Sequence, residues 1–252
     1  MKKFFLSLPL SVLLMISLPS CKFFSEEEKN SSKEELSPGV DGVQKKYRDN
    51  KTLLSTTEHK NAQRHGISRS YYEDGKTVHN EIRYNMGVKD GTTNSYYKNG
   101  QLYYSVEYVN GKREGILTKY YESGERMAEI PYEDNRVQEG LIEYQKSGKK
   151  KAVYPHIVFE EIDRMVLDSK YIIKIRLSDA NKSVKFTQIL YDESGNELAE
   201  KELLDYDGIA EIIIFVREHT SVHKTIKIRA EFNTFLGNPF VCYEEKSLSI
   251  QR

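Results

Sequence analysis

HGISRSYYEDGKTV (residues 65–78), DGTTNSYYKNGQLY (90–103) and EGILTKYYESGERM (114–127) are one short motif written three times. The unit glycines Gly66, Gly91, Gly115 and Gly140 set a period of 24 or 25 residues. Tyr71, Tyr96, Tyr120 and Tyr144 keep that period, as do Gly75, Gly100, Gly124 and Gly148. A fixed period of this length means a stacked array, in which each unit buries its apolar face against its neighbours. Within a unit the pattern reads strand, turn, strand, turn. Glu73-Asp74-Gly75, Lys98-Asn99-Gly100, Glu122-Ser123-Gly124 and Lys146-Ser147-Gly148 form the first turn, where positive φ is cheap at Gly. Met86-Gly87, Asn110-Gly111 and Asp134-Asn135 form the second, after strands that end near Tyr84, Tyr108 and Tyr132. Each unit is therefore expected to be one β-hairpin, and successive hairpins to extend a single sheet.

Two flanking units are eroded, as solenoid caps are. Before the motif, Tyr47 falls one period ahead of Tyr71, and Arg48-Asp49-Asn50-Lys51-Thr52 is set against Glu73-Asp74-Gly75-Lys76-Thr77. After it, Tyr144 and Gly148 persist, and Tyr154-Pro155-His156 follows Ile130-Pro131-Tyr132. That makes five units.

The Tyr96-Tyr97…Gly100 core and the Gly111-Lys112…Gly115 closing turn resemble MORN-type repeats in their divergent bacterial form, often named the YwqK-type antitoxin family. The resemblance spans roughly residues 42–156. It implies a hairpin array used for binding or scaffolding rather than a catalytic fold.

At the N-terminus, Lys2 and Lys3 precede an apolar run from Phe4 to Leu18 that Pro and Ser interrupt. The run is too short and too punctuated for a spanning helix and reads as a signal peptide. Leu18-Pro19-Ser20-Cys21 resembles the bacterial lipobox, with Pro19 departing from the usual small residue. The resemblance implies lipid attachment at Cys21, cleavage before it, and a cell-envelope, membrane-anchored lipoprotein. Lys22 after the Cys favours the outer membrane. Residues 22–41 are rich in Glu, Ser and Lys and poor in branched apolar residues, so they read as a tether. A flexible chain of about 20 residues reaches roughly 25 Å. The expected organisation is a signal peptide (1–20), a tether (21–41), the array (42–158) and a second domain (159–252).

From Phe159 the rhythm changes. Residues 171–177 and 225–232 alternate apolar and charged side chains, the mark of half-buried strands. Residues 184–191, 197–204, 209–216 and 240–250 are further strand candidates. Six or so short strands without a strong helix signal point to a small immunoglobulin-like β-sandwich. The fold class is all-β throughout. Trp is absent, and Cys242 has no intramolecular partner if Cys21 is lipidated, so no disulfide staple is expected.

Lys and Arg number 38 and Asp and Glu 38, so the net charge is zero, which argues against a nucleic-acid partner. His219 and His223 stand four apart but flank a predicted turn and lack the intervening Glu of a zinc helix. Glu160-Glu161 and Glu244-Glu245 read as surface charge, and Lys149-Lys150-Lys151 as a solvated loop. There is no phosphate-binding loop, nucleophile elbow or zinc-ligand spacing, so neither a cofactor nor catalysis is expected. The tyrosines are the unusual resource. One ring of each pair is expected to pack in a ladder between units. The other would form an exposed strip for an envelope protein, peptide or glycan. The candidate binding residues are Tyr71, Tyr72, Tyr96, Tyr97, Tyr120 and Tyr121. The family resemblance alone supplies an alternative, an immunity-type protein that neutralises a toxin. A third reading, a wall-acting enzyme, lacks the nucleophile or carboxylate cluster it would need.

Overall fold

The computed structural model describes residues 41–192 and 194–252. Cys21, the signal segment and the tether up to residue 40 lie outside the described residues.

The array is a meander. β1 (Gly42–Tyr47) pairs with β2 (Leu53–Lys60), β3 (Gln63–Tyr71) with β4 (Val78–Asn85), β5 (Val88–Tyr96) with β6 (Leu102–Val109), and β7 (Lys112–Tyr120) with β8 (Arg126–Glu133). Each hairpin also pairs with the next, so all eight strands form one antiparallel sheet. Two short strands, β9 (Arg136–Val137) and β10 (Ile142–Glu143), close it by pairing with β8. The two-residue loops Asn61-Ala62, Met86-Gly87, Asn110-Gly111 and Asp134-Asn135 have positive φ at both positions. That is the φ signature of a type I′ turn, whose twist matches the flanking strands. The unit glycines solve a different problem. At Gly66, Gly91 and Gly115 the register slips by a bulge, with φ of 93°, 98° and 74°. A Cβ on Gly91 would meet Arg83 Cδ at 2.7 Å.

The eroded units keep the turn chemistry with substitutes. In the first, Lys51 N–H bonds the Arg48 carbonyl at 2.8 Å, as Gly75 N–H bonds that of Tyr72 at 2.9 Å. Asn50 Oδ1 accepts the Thr52 N–H as Asp74 Oδ1 accepts that of Lys76. So Lys51, with φ of 64°, matches Gly75, and the sequence alignment of this unit was one residue out. In the last unit the turn at Gln145–Gly148 survives, but residues 151–156 form no strand. Tyr154 instead stacks on Phe240 at 5.1 Å, and its hydroxyl accepts the Glu143 N–H.

The sandwich begins with β11 (Ile157–Arg164), which sequence periodicity did not pick out. After a single helical turn, α1 (Met165–Asp168), come β12 (Lys170–Leu177), β13 (Val184–Tyr191), β14 (Glu197–Leu203), β15 (Asp205–Tyr206), β16 (Ile209–Phe215), β17 (Ser221–Asn233) and β18 (Pro239–Gln251). One sheet runs β11-β12-β16-β15 and the other β14-β13-β17-β18. Labelled A to G with C′ after C, these are the A-B-E-D and C′-C-F-G sheets of an immunoglobulin-like sandwich. The core needs neither Trp nor disulfide. Ile173 and Ile175 from one sheet meet Phe186, Ile226, Ile228 and Ala230 from the other, all fully buried.

Array and sandwich share one hydrophobic cluster, in which Tyr104, Val106, Leu117 and Ile130 continue into the sandwich residues. A buried polar network sits at the junction. Asn238, in the β17–β18 turn, accepts from Lys119 Nζ at 2.8 Å and donates to Glu143 Oε1 at 2.8 Å. Thr234 donates its hydroxyl to the same carboxylate, and Lys151 Nζ reaches Glu143 Oε2 at 3.1 Å. Lys149-Lys150-Lys151 is therefore not simply a solvated loop, since Lys151 is half-buried in a junction contact. The cost of burying Lys119 and Glu143 is offset only because each meets a partner.

The buried face of the array changes character along its length. One transverse column reads Lys46, Ser55, Ser70, Asn80, Ser95, Tyr104, Lys119, Ala128, Glu143 from β1 to β10. The next reads Gln44, Thr57, Ser68, Ile82, Thr93, Val106. The end near the sandwich is buried, with Tyr104, Val106 and Ala128 beside the paired Lys119 and Glu143, and the end far from it is hydroxylated and half-buried.

Candidate functional site

The two rings of each tyrosine pair do different jobs. The second ring holds units together. Tyr72 donates its hydroxyl to the Tyr96 carbonyl at 2.6 Å, Tyr97 to that of Tyr120 at 2.8 Å, and Tyr121 to that of Tyr144 at 2.7 Å. Arg48 takes the same place in the first unit, donating to the Tyr71 carbonyl at 2.6 Å and the Tyr72 carbonyl at 3.2 Å. The ladder thus runs the length of the array, each unit binding the next. A bulge aims the supporting residue. His79, Tyr103 and Met127 are skipped by the register, at one place in each unit. Tyr72 packs on His79 at 4.4 Å and Tyr97 on Tyr103 at 4.9 Å. Burial pushes the phenols of Tyr72, Tyr97 and Tyr121 above their ordinary value.

The first ring of each pair lies on the opposite face by strand alternation. Tyr71 stands across from Val78, Tyr96 from Leu102 and Tyr120 from Arg126, and Tyr47 across from Leu53 extends the row into the first unit. Tyr71, Tyr96 and Tyr120 are half-buried and Tyr47 is 50% exposed. The row is edged by ion pairs, Arg69 with Glu81 at 2.7 Å and Arg126 with Glu129 at 2.8 Å. Burial, then the Glu81 charge, raises the phenol of Tyr96. This is a row of tyrosines, faced by Leu53, Val78, Leu102 and Arg126, on the face away from the junction. Of the six expected tyrosines, Tyr72, Tyr97 and Tyr121 are held by the ladder, and Tyr71, Tyr96 and Tyr120 form the strip. Only their spacing marks Tyr47 for the strip and Arg48 for the ladder.

The opposite rim carries a second aromatic series. Arg64 lies over the Tyr84 ring at 5.4 Å, Lys89 over Tyr108 at 5.0 Å and Arg113 over Tyr132 at 4.4 Å. Cation and tyrosine thus alternate strand by strand from β3 to β8, each contact contributing about 0.5–2 kcal/mol. Burial, then the charges of Arg113 and Arg64, pushes Lys89 below its ordinary value.

Other candidates resolve into structure. His219 sits in the turn before β17, and His223 on β17 meets Ser249 Oγ at 3.2 Å. Glu161 pairs with Lys246 at 2.5 Å, and Glu245 with Lys227 at 3.2 Å. A cleft of about 910 Å³ lies between the β9 loop and the β13–β17–β18 surface. Its central guanidinium, on Arg229, is already held by both oxygens of Glu200 at 2.5 and 2.8 Å. Cys242 is half-buried, and burial pushes its thiol up to about 11. Among the described residues, no group of His, Cys, Asp and Glu is placed to hold a metal ion.

Residues 64–78, 89–110 and 113–134 match the family of the MORN repeat variant. These segments cover β3 and β5 to β8 and leave out β4 after Val78, so the array carries MORN-type repeats, which generally serve in binding or scaffolding rather than catalysis. A comparison with curated proteins found no match.

Proposed function

We propose that this chain is a non-enzymatic envelope protein, anchored by lipid at Cys21, that binds or scaffolds a partner through the strip on its repeat array. The observation that carries this reading is the division of labour within the tyrosine pairs. The hydroxyl ladder joins the units through the second ring of each pair and leaves the first ring half-exposed on the other face. Four half-exposed tyrosines in register, Tyr47, Tyr71, Tyr96 and Tyr120, then form the kind of rigid amphipathic surface that proteins, peptides and glycans dock on. The lipobox supplies the address and the tether the reach.

The test is capture from envelope extract by wild type and by the Tyr71→Ser/Tyr96→Ser/Tyr120→Ser variant. A protein or glycan held by the wild type and released by the variant is the expected result. Equal retention by both, or none by either, removes the strip from the account. Labelling cells with a palmitate analogue, with Cys21→Ala as control, checks the anchor; an unlabelled wild type would sink it.

A further inference from the structure

The opposite face of the first two units holds a cleft of about 280 Å³ between β1 and β4. Its floor is the hydroxylated end of the two columns described above, Ser55, Thr57, Ser68 and Ser70. Thr57 and Ser68 share a hydrogen bond of 2.9 Å, and Asn80 donates to Ser70 Oγ at 3.2 Å. Two cations stand at its edges, Lys46 and Arg64, both exposed. Neither has a carboxylate partner among the described residues, and no Asp or Glu lines the cleft. A third cation of the lining, Arg69, is already paired with Glu81 at 2.7 Å.

A merely solvated sheet face would carry long side chains of both signs. Here short hydroxyls hollow out the surface, and two cations that meet no acid among the described residues flank the hollow. Hydroxyls both donate and accept, whereas the cations only donate. The matching ligand therefore combines many hydroxyls with a negative charge. We propose that this cleft binds an acidic sugar, its carboxylate at Lys46 and Arg64 and its ring hydroxyls along the Ser and Thr floor. Its volume is near the lower end of small-ligand sites, roughly 300–1,000 Å³, which suits one sugar unit at a time. The site is separate from the tyrosine strip on the other face, so it stands or falls independently of that reading.

The test is calorimetric titration of the full-length protein in detergent with trigalacturonate, with maltotriose as the neutral control. Trigalacturonate is expected to bind and maltotriose not. Lys46→Gln/Arg64→Gln is expected to weaken trigalacturonate by about tenfold or more, since each charge-assisted hydrogen bond lost is on that scale. Thr57→Val, which keeps the shape of the floor, is expected to weaken it by a smaller factor. Arg64→Gln also removes the contact with Tyr84, so a cooperative thermal transition with a slightly lowered midpoint will show that the double variant is folded. No binding of trigalacturonate, equal binding of maltotriose, or full affinity in the folded double variant would each overturn the proposal.

Discussion

Replacing Asn238 by Ala tests how array and sandwich are joined. Asn238 is completely buried, and its amide spans two charged groups. Lys119 and Glu143 sit on strands separated by Ala128, so their backbones are about 9.6 Å apart across the sheet and the Asn238 amide bridges their side chains. Truncation removes one hydrogen bond to an ammonium and one to a carboxylate, each contributing about 1.5–3 kcal/mol. Glu143 keeps Thr234 and Lys151, which holds the total near the lower end, about 3 kcal/mol. Native-state hydrogen exchange reads this locally. Amides around β10 and the Thr234–Asn238 turn should exchange roughly a hundredfold faster, because 1.4 kcal/mol is a factor of about ten. Amides of β3 and β4 should not change, since a repeat stack is coupled to nearest neighbours. If the junction amides keep their wild-type rates, or if β3 and β4 accelerate equally, the amide bridge does not hold the junction.

Four further outcomes follow from the same geometry. Tyr97→Phe deletes a ladder bond and should cost about 1 kcal/mol in urea unfolding, whereas Tyr71→Phe on the strip should be neutral within about 0.5 kcal/mol; equal effects would contradict the assigned roles. Gly91→Ala, at φ of 98° and against Arg83, should cost about 1–3 kcal/mol, and an unchanged thermal midpoint would show that the bulge tolerates a side chain. Burial, helped by Tyr108 and Tyr103, pushes the Tyr104 phenol from 10.0 up to about 12. The folded state keeps a proton that the unfolded state releases, so this contribution is intact below pH 10 and is lost as pH rises toward 12, at about 1.4 kcal/mol per unit; Tyr104→Phe should flatten that decline in a pH series of unfolding curves. In a Cys21→Ala background, Cys242 should resist alkylation at mildly alkaline pH until urea exposes it; reaction at the rate of a free thiol would refute its burial.

The periodic part of the fold was readable because each unit writes its own turns. Gly75, Gly100 and Gly124 sit where backbone conformation alone demands them, and that demand survives without any tertiary context. The first unit misled because Lys51 occupies a left-handed position that Gly holds elsewhere, while Asn50 beside it looked like the natural substitute. β11 was missed because Glu160-Glu161 interrupts its alternation, and pairing with β12 rather than local pattern makes it a strand. The roles within the tyrosine pairs could be posed but not assigned, since the bulges that bring His79 and Tyr103 against the second ring arise from register between strands. Residues 119, 143, 234 and 238 were beyond reach for another reason. Their contacts cross about 90–120 positions of chain and leave no periodic trace.

The ladder has a consequence for how such a protein changes over generations. Each ladder hydroxyl addresses a carbonyl one unit on, by the same contact in every unit. Duplicating or deleting a copy ahead of the one that carries Lys119 would leave Arg48 still closing one end and the Lys119–Asn238–Glu143 network still closing the other. The array would lengthen or shorten by about 9.6 Å, two strand spacings, with both ends chemically intact. Length is thus an inheritable dial, adjustable in uniform steps without disturbing the sandwich junction.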